Sequence, residues 1–357
     1  MIIILQFAIF VTLLNICRFT TIECSTLILK DKPSLMKGTL RILLIGLSML
    51  VVNNASAQDP QFTQFYANPL YLNPAFAGSH GCPRFAANYR NEWPSLTGNY
   101  VTYSVSYDQY FKTISGGIGV IATHDQQGQG TIFTSSLGLI YSYHLKVNRK
   151  FSMLFGAKAA MTNKYLNWDK LTFGDMIDPR RGFIYNTGDV PRGGSRYFFD
   201  ASAGIVGYSK HFFFGVAANH LNMPNESMII GESKLPMRFT GHMGAEIKLG
   251  AKSKYNNSAS IMPNIIYQYQ NGFQEIAIGT YVKYGVFNVG AWYRNRDAFI
   301  LSFGVNTGKF KIGYSYDVTV SKLNNGVSGG SHEVSLGLNL NCKDKPSTFK
   351  TISCPSF

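Results

Sequence analysis

Apolar and polar positions alternate along most of this chain. Val334, Leu336, Leu338 and Leu340 are interleaved with Ser335, Gly337, Asn339 and Asn341. Ile312, Tyr314 and Tyr316 alternate with Lys311, Gly313, Ser315 and Asp317, and Val101, Tyr103, Val105 and Tyr107 alternate with Thr102, Ser104 and Ser106. Successive side chains of a β-strand point to opposite faces, so each stretch has one apolar face and one polar or small face. The pattern predicts about fourteen strands, near 84–90, 99–111, 116–124, 131–145, 151–165, 197–208, 211–220, 237–249, 258–269, 274–284, 286–294, 297–307, 309–317 and 332–341. A sandwich uses the same alternation. The even count, the hairpin spacing and the Tyr-rich strand ends instead predict an all-β fold, a closed antiparallel outer-membrane β-barrel of about 14 strands. Closure satisfies every backbone donor and acceptor in lipid.

The connections fall into two alternating sets. Lys112 to Ser115, Lys146 to Lys150, Ser209-Lys210, Tyr284-Gly285 and Thr307-Gly308 are short. The other set holds the long ones, from Leu166 to Arg196, from Leu221 to Pro236 and from Val318 to Gly330. Outer-membrane barrels have short periplasmic turns and longer external loops, which places both chain ends in the periplasm.

Upstream of the strands, Lys37 and Arg41 form a basic region, Ile42 to Val52 an apolar run, and Ala55-Ser56-Ala57 a small-residue cleavage pattern before Gln58. This is the arrangement of a secretory signal, and the apolar run is too short to span a bilayer. Met36 opens this complete signal and marks a candidate start of translation. The predicted organisation is a leader and signal over 1–57, an N-terminal plug or periplasmic segment over 58–83, the barrel over 84–341 and a periplasmic tail over 342–357.

Charged residues make up 15% of the chain, against 35 Gly, 21 Tyr and 26 Phe, a balance that suits a surface touching lipid. The formal charge of +14 falls to about +11 without residues 1–57. The basic residues are scattered near the predicted strand ends, many of them at short turns, and form no recognition-helix or RNP-like pattern, which argues against nucleic acid. Cys82, Cys342 and Cys354 remain after cleavage in an oxidising compartment, where any one bridge among them, or three free thiols, is geometrically open.

Little in the sequence points to catalysis. His80, His124, His144, His211, His220, His242 and His332 show no ligand spacing and sit where a polar rim would place them. No G-x-S-x-G elbow is present, and the expectation is a non-enzyme with no cofactor and no metal. Asp169, Asp175, Asp178 and Asp189 in the longest loop match no calcium-binding pattern. Gly116-Gly117-Ile118-Gly119 has no following helix to hold a phosphate, so these read as glycines that let the wall bend. Asp200, Lys248, Lys283 and Asp317 interrupt apolar strands and are placed in the lumen.

One segment is unusual in being both aromatic and amide-rich. It runs Gln58-Asp59-Pro60-Gln61-Phe62-Thr63-Gln64-Phe65-Tyr66, then Asn68-Pro69 and Leu72-Asn73-Pro74-Ala75-Phe76-Ala77-Gly78. Together with Asn88 to Pro94, Phe199-Asp200, Ala203-Gly204, His220-Leu221, Pro224-Asn225, Pro236 to Gly244 and the closing Ser353 to Phe357, it resembles the PorP/SprF family of type IX secretion membrane proteins. The resemblance implies an outer-membrane component of type IX secretion, often linked to gliding motility. As partners it implies a secreted cargo adhesin bound through its C-terminal domain and the periplasmic lipoprotein ring of the apparatus. From the residues themselves, Gln61, Phe62, Gln64, Phe65, Tyr66 and Asn68 combine hydrogen-bonding amides with apolar surface and form a candidate plug, with Pro60, Pro69 and Pro74 breaking regular structure. Trp168, Phe173, Arg180, Arg181, Tyr185 and Arg192 in the longest loop have the aromatic and Arg character of protein interfaces and are candidates for cargo contact. A mobile lid is the other reading of that loop, and a passive or hydrophobic-solute channel the other reading of the barrel.

Overall fold

The computed structural model describes residues 59–178, 180–188, 194–228, 231–249, 259–320 and 325–340. Arg84–Glu92 (β1), Tyr100–Phe111 (β2), Gly116–Gln127 (β3), Ile132–Lys146 (β4), Phe151–Leu166 (β5), Ser195–Ser209 (β6) and Phe212–Asn219 (β7) form the first half of the barrel. The second half begins with β8, made of Arg238–Ala245 and its continuation Ile247–Leu249. Ala259–Gln270 (β9), Phe273–Tyr284 (β10), Phe287–Arg294 (β11), Ala298–Asn306 (β12), Phe310–Thr319 (β13) and Ser331–Asn339 (β14) complete it. Each strand pairs antiparallel with the next, β8 with β9 through both of its segments, and β1 with β14, so the barrel is closed. The predicted single segment 237–249 is interrupted at Glu246, whose N–H leaves the ladder to donate to the His211 carbonyl at 2.8 Å.

The alternation read from the sequence divides outside from inside. On β4, Leu139 is 63% exposed and Ile140, the next residue, is buried. Outward positions throughout are large and apolar, among them Leu137, Met161, Val216, Phe303 and Ile312. Inward positions are polar or small, including Ser104, Ser142, Ser302, Ser315 and Ser335. Burying polar groups is tolerable only when they find partners, so the inner face needs something to bond to.

What fills it is the chain upstream of β1. One end of the barrel carries the short turns and the start of β1; the opposite end carries the long connections after β5, β7 and β13. The sequence placed both chain ends at the turn end. The last barrel residue, Asn339, is there, but Asp59 lies at the loop end, bonded to His220, which directly follows β7, and to Gln270, the last residue of β9. The reason is electrostatic as well as steric, because the cationic partners of Asp59 sit at that rim. From Asp59 the segment, called the strap below, runs down the interior to Gly78 at the turn end and turns out into β1. Pro69 and Pro74 do not merely break structure: Pro69 opens the helical turn α1 (Pro69–Leu72) and Pro74 a 3-10 turn (Pro74–Phe76), where a missing N–H costs nothing.

Candidate functional site

At the loop end the strap is held by charge. The Asp59 carboxylate lies 2.7 Å from His220 Nε2 and 3.3 Å from the Arg238 guanidinium. His220 Nδ1 lies 2.9 Å from Asp200, so both ring nitrogens face carboxylates. Burial alone would raise the Asp59 carboxyl, but Arg238 and His220 overcome it and hold it well below the usual carboxylate range. Burial likewise opposes the charged form of His220, and Asp59 and Asp200 outweigh it, raising the imidazole to about 9.

This latch has a definite pH window. The raised His220 contributes fully below its unfolded value of 6.5 and is lost as pH rises through about 9. The depressed Asp59 contributes above its unfolded value of 3.8 and is lost only in acid. Amide hydrogen-exchange protection at Gln61 and Phe62 is therefore expected to be nearly level between pH 5 and pH 6, to decline from there, and to be lower by at least about tenfold by pH 10. The His220→Gln variant should lose that pH dependence, and protection in the native protein that stays level to pH 10 would rule the latch out.

One turn further in, Thr63 and Gln64 meet a buried ionic network. Thr63 N–H donates to Glu333 at 2.6 Å, Gln64 N–H to the same carboxylate at 3.2 Å, and the Gln64 amide to the Glu333 carbonyl at 3.0 Å. Arg90 holds this group together: it donates to Thr63 Oγ1 and Asp317 at 2.9 Å each, lies 3.4 Å from Glu333, and also pairs with Glu92. Arg90 is 2% exposed and Glu333 0%. The Gln61 amide, with its nitrogen toward Glu275, donates to that carboxylate at 2.9 Å.

The middle of the strap is apolar and aromatic. Phe65 packs on Trp292 at 5.0 Å, and Tyr66 meets Phe213 edge-on at 5.6 Å. Leu70, Leu72 and Phe76 join Ile121, Ile140, Leu154, Val206, Ile266 and Ile300 in one buried cluster. Asn73 donates to the Ile205 and Val216 carbonyls at 3.2 Å and lies 3.3 Å from His242. At the turn end, Ser142 donates to the Ala75 carbonyl at 2.8 Å, His144 lies 2.9 Å from the Ala77 carbonyl, and Gly78 N–H donates to Asp108, which Arg84 also holds.

The wall is hollowed for this path. A Cβ on Gly117 would stand 2.2 Å from the Ala77 carbonyl oxygen, one on Gly156 2.3 Å from Ala75 N, one on Gly204 2.1 Å from Asn73 Oδ1 and one on Gly313 2.3 Å from Gln64 Oε1. Of the glycines expected to let the wall bend, Gly117 lies where the strap backbone passes within contact, and a Cβ on Gly119 would stand 3.0 Å from the Leu70 side chain. Beside Phe62, Asn68 and Arg238 a cavity of ≈ 20 Å³ remains, room for about one water.

The candidate plug residues Phe62, Gln64, Phe65, Tyr66 and Asn68 are all buried in this interior, with Gln61 half-buried at its loop end. The loop candidates lie apart from them. Trp168 stacks on Phe173 at 6.1 Å and 15°, Asp178 accepts from the Arg180 and Arg181 N–H groups at 2.8 Å each, and Tyr185 donates to Asp178 at 3.1 Å. Arg180, Arg181, Phe183 and Tyr185 are thereby left exposed; Arg192 and Asp189 lie outside the described residues. Cys82 is disulfide-bonded, and Cys342 and Cys354 lie outside the described residues. Asp200 and Asp317 are buried inward, whereas Lys248 is exposed at the turn end. His242, read as part of a polar rim, is buried within β8 and tilted over Phe76 at 5.3 Å. Among the described residues no group of His, Cys, Asp and Glu could hold a metal ion. The sequence reading did not single out Asp59, Arg90, His220, Arg238 or Glu333 as site residues; the inward parity of Arg90 and Glu333 on otherwise apolar-faced strands was the available signal.

No curated protein matches the sequence. Among solved structures, the "CymD monoaromatic hydrocarbon channel" is similar over 79% of this chain and 94% of its own at 12% identity, with a TM-score of 0.42. The outer membrane protein Omp33 of Acinetobacter baumannii is similar over 73% of this chain and 100% of its own, at 9% identity and a TM-score of 0.40. "KdgM porin" is similar over 72% and 99%, at 10% identity and a TM-score of 0.34. The family model described as "Type IX secretion system membrane protein PorP/SprF" matches residues 54–338.

Proposed function

The chain belongs to the PorP/SprF family of type IX secretion system membrane proteins, and from that premise we propose that this outer-membrane barrel is a non-enzymatic component that receives, tethers or helps display a secreted cargo protein at the cell surface. The observation that carries this reading is the occupied interior. Phe62 to Gly78 run through the lumen that a solute would have to use, packed against the wall, and a passive channel would first have to expel the strap. What remains available to a partner is the outer rim.

In this reading the short turns face the periplasm and the long loops face outward, as in other outer-membrane barrels. The loop between β5 and β6 then presents Phe183, Ile184 and Tyr185, each more than 45% exposed, beside Arg180 and Arg181. Aromatic and Arg side chains of this kind dominate binding energy at protein interfaces. Asp178 fixes the turn that carries the two arginines, which lowers the ordering cost on binding. The partner so bound would be a type IX cargo protein, engaged through its C-terminal domain.

The test is recovery of partners with the tagged protein from its native outer membrane in mild detergent. One large secreted protein is expected with the native chain, reduced at least about tenfold when residues 167–194 are replaced by a short Gly/Ser linker, as the loss of two hot-spot residues would give. Recovery that is unchanged by the replacement would remove the loop from the proposal; recovery of the barrel alone would remove the tethering role.

A further inference from the structure

The connection from β7 to β8 stands with both feet on the strap. His220, its first residue, lies 2.7 Å from the Asp59 carboxylate, and Arg238, which opens β8 at its far end, lies 3.3 Å from the same group. Gln270 ties the strap to the second limb as well: its amide nitrogen donates to the Pro236 carbonyl at 3.2 Å and to Asp59 at 3.4 Å, and its oxygen accepts from the Asp59 N–H at 3.3 Å. The latch is therefore also the hinge line of this one connection.

Above the feet, the described limbs, residues 221–228 and 231–236, are zipped together. Asn225 and Lys234 form a bridge, Glu226 N–H donates to the Ser233 carbonyl at 2.9 Å and Leu235 N–H to the Pro224 carbonyl at 2.9 Å. Pro224 and Leu235 are buried, and Glu226 pairs with Lys164 of β5 at 2.8 Å. Lys164 shares the inward parity of Thr162, and β6 stands between β5 and β7, so the limbs lean inward over the rim across β6. His220 at φ 57° and Met223 at φ 40° hold left-handed backbone that residues other than glycine seldom adopt. Strain of this kind persists only where the surroundings impose it, and at His220 two of those surroundings are Asp59 and Asp200.

We propose that this connection is a lid coupled to the strap, a conformational device by which contact at the outer rim frees the strap's outer end. Lifting the limbs breaks the Lys164–Glu226 pair and draws His220 and Pro236 away from Asp59 and Gln270, so residues 59–62 loosen while the apolar middle from Phe65 to Phe76 stays packed. Rim and interior thus communicate through one carboxylate. The coupling is reciprocal: a strap that loses the Asp59 charge loosens the lid in turn. It does not depend on which protein docks outside, nor on the loop between β5 and β6.

The experiment follows amide hydrogen exchange of the folded mature protein in detergent, for the native chain and for variants that keep its heat-modifiable folded band. Glu226→Gln removes the ion pair at the tip of the lid. It is expected to speed exchange about fivefold both in the limbs and at Gln61 and Phe62, the effect of losing an accessible ion pair at the strong end of its range, with β2 unchanged. Asp59→Asn is expected to speed exchange at Glu226 and Leu235 in the limbs by a comparable factor. The charge exchange Lys164→Glu with Glu226→Lys rebuilds the pair and should return both regions to native rates. Glu232→Gln, at an exposed side chain of the same connection, should change neither. Limbs that speed up in Glu226→Gln while Gln61 and Phe62 stay at native rates overturn the coupling. So does Asp59→Asn with limbs at native rates, or Glu226→Gln with both regions at native rates, since the tip would then not hold the lid.

Discussion

Deleting residues 59–78 is expected to convert a closed barrel into a conducting one. The strap buries Phe62, Phe65, Tyr66, Leu70, Leu72 and Phe76 inside the wall. At about 1.5–3 kcal/mol for each large apolar side chain, its removal forfeits on the order of 10 kcal/mol of burial and opens a continuous path past Ser142, Thr240 and Ser315. Single-channel conductance in planar bilayers checks this directly: silent native barrels and steady open steps for the deletion. Because a deleted barrel can fail to assemble, Gly156→Val gives a second route. A Cβ at Gly156 meets Ala75 N at 2.3 Å and the Pro74 carbonyl carbon at 2.4 Å, and both are backbone atoms that no rotamer change can move. The strap must lift there, and intermittent conductance is expected. Gly174→Val, where nothing lies within 4 Å, serves as the silent control. Native-like silence in both the deletion and Gly156→Val would show that the strap does not occlude.

The second large effect is expected from Arg90→Ala. The substitution leaves Asp317 and Glu333 buried with their main cation gone, and it removes a donor from Thr63. Breaking one partner out of a buried ionic group costs about 3–5 kcal/mol, because the desolvated charges stay behind. The folded band on unheated gels should melt at a clearly lower temperature or urea concentration. Glu333→Gln in the same chain removes one of the stranded charges and should recover a large part of the loss. A double variant no more stable than Arg90→Ala alone would mean that the network is not held by charge.

Sequence reading located the wall well and the bonds inside it poorly, for one physical reason. Lipid-facing positions must be apolar at every second residue, so the period-two pattern reports them directly. It placed a strand near 84–90 where β1 spans Arg84–Glu92, and near 286–294 where β11 spans Phe287–Arg294. The inner face obeys no such rule, since its residues answer to a partner that comes from elsewhere in the chain. Gly156 and Gly313 are legible as inward glycines, but only the path of the strap explains why no side chain fits there. Asp59 and His220 are 161 residues apart, and neither has a neighbour in sequence that announces the pair. The direction of the strap was missed for the same reason: a short turn at the start of β1 says nothing about the chain before it, whereas the cations of the far rim decide where it ends.

The seam between β1 and β14 joins the first and last strands of the barrel, so the hoop can close only when the whole chain is present. The strap precedes every strand in synthesis, yet it is bonded on both sides of that seam, to Arg90 of β1 and to Glu333 of β14. It also touches β3, β5, β6 and β13 at glycines that leave no clearance. A segment gripped so tightly cannot slide end-on through a finished hoop without dragging its rings past every ledge of the wall. By this geometry the strap must lie in place before the two edges of the sheet meet, as a rod lies in a tube that is rolled around it.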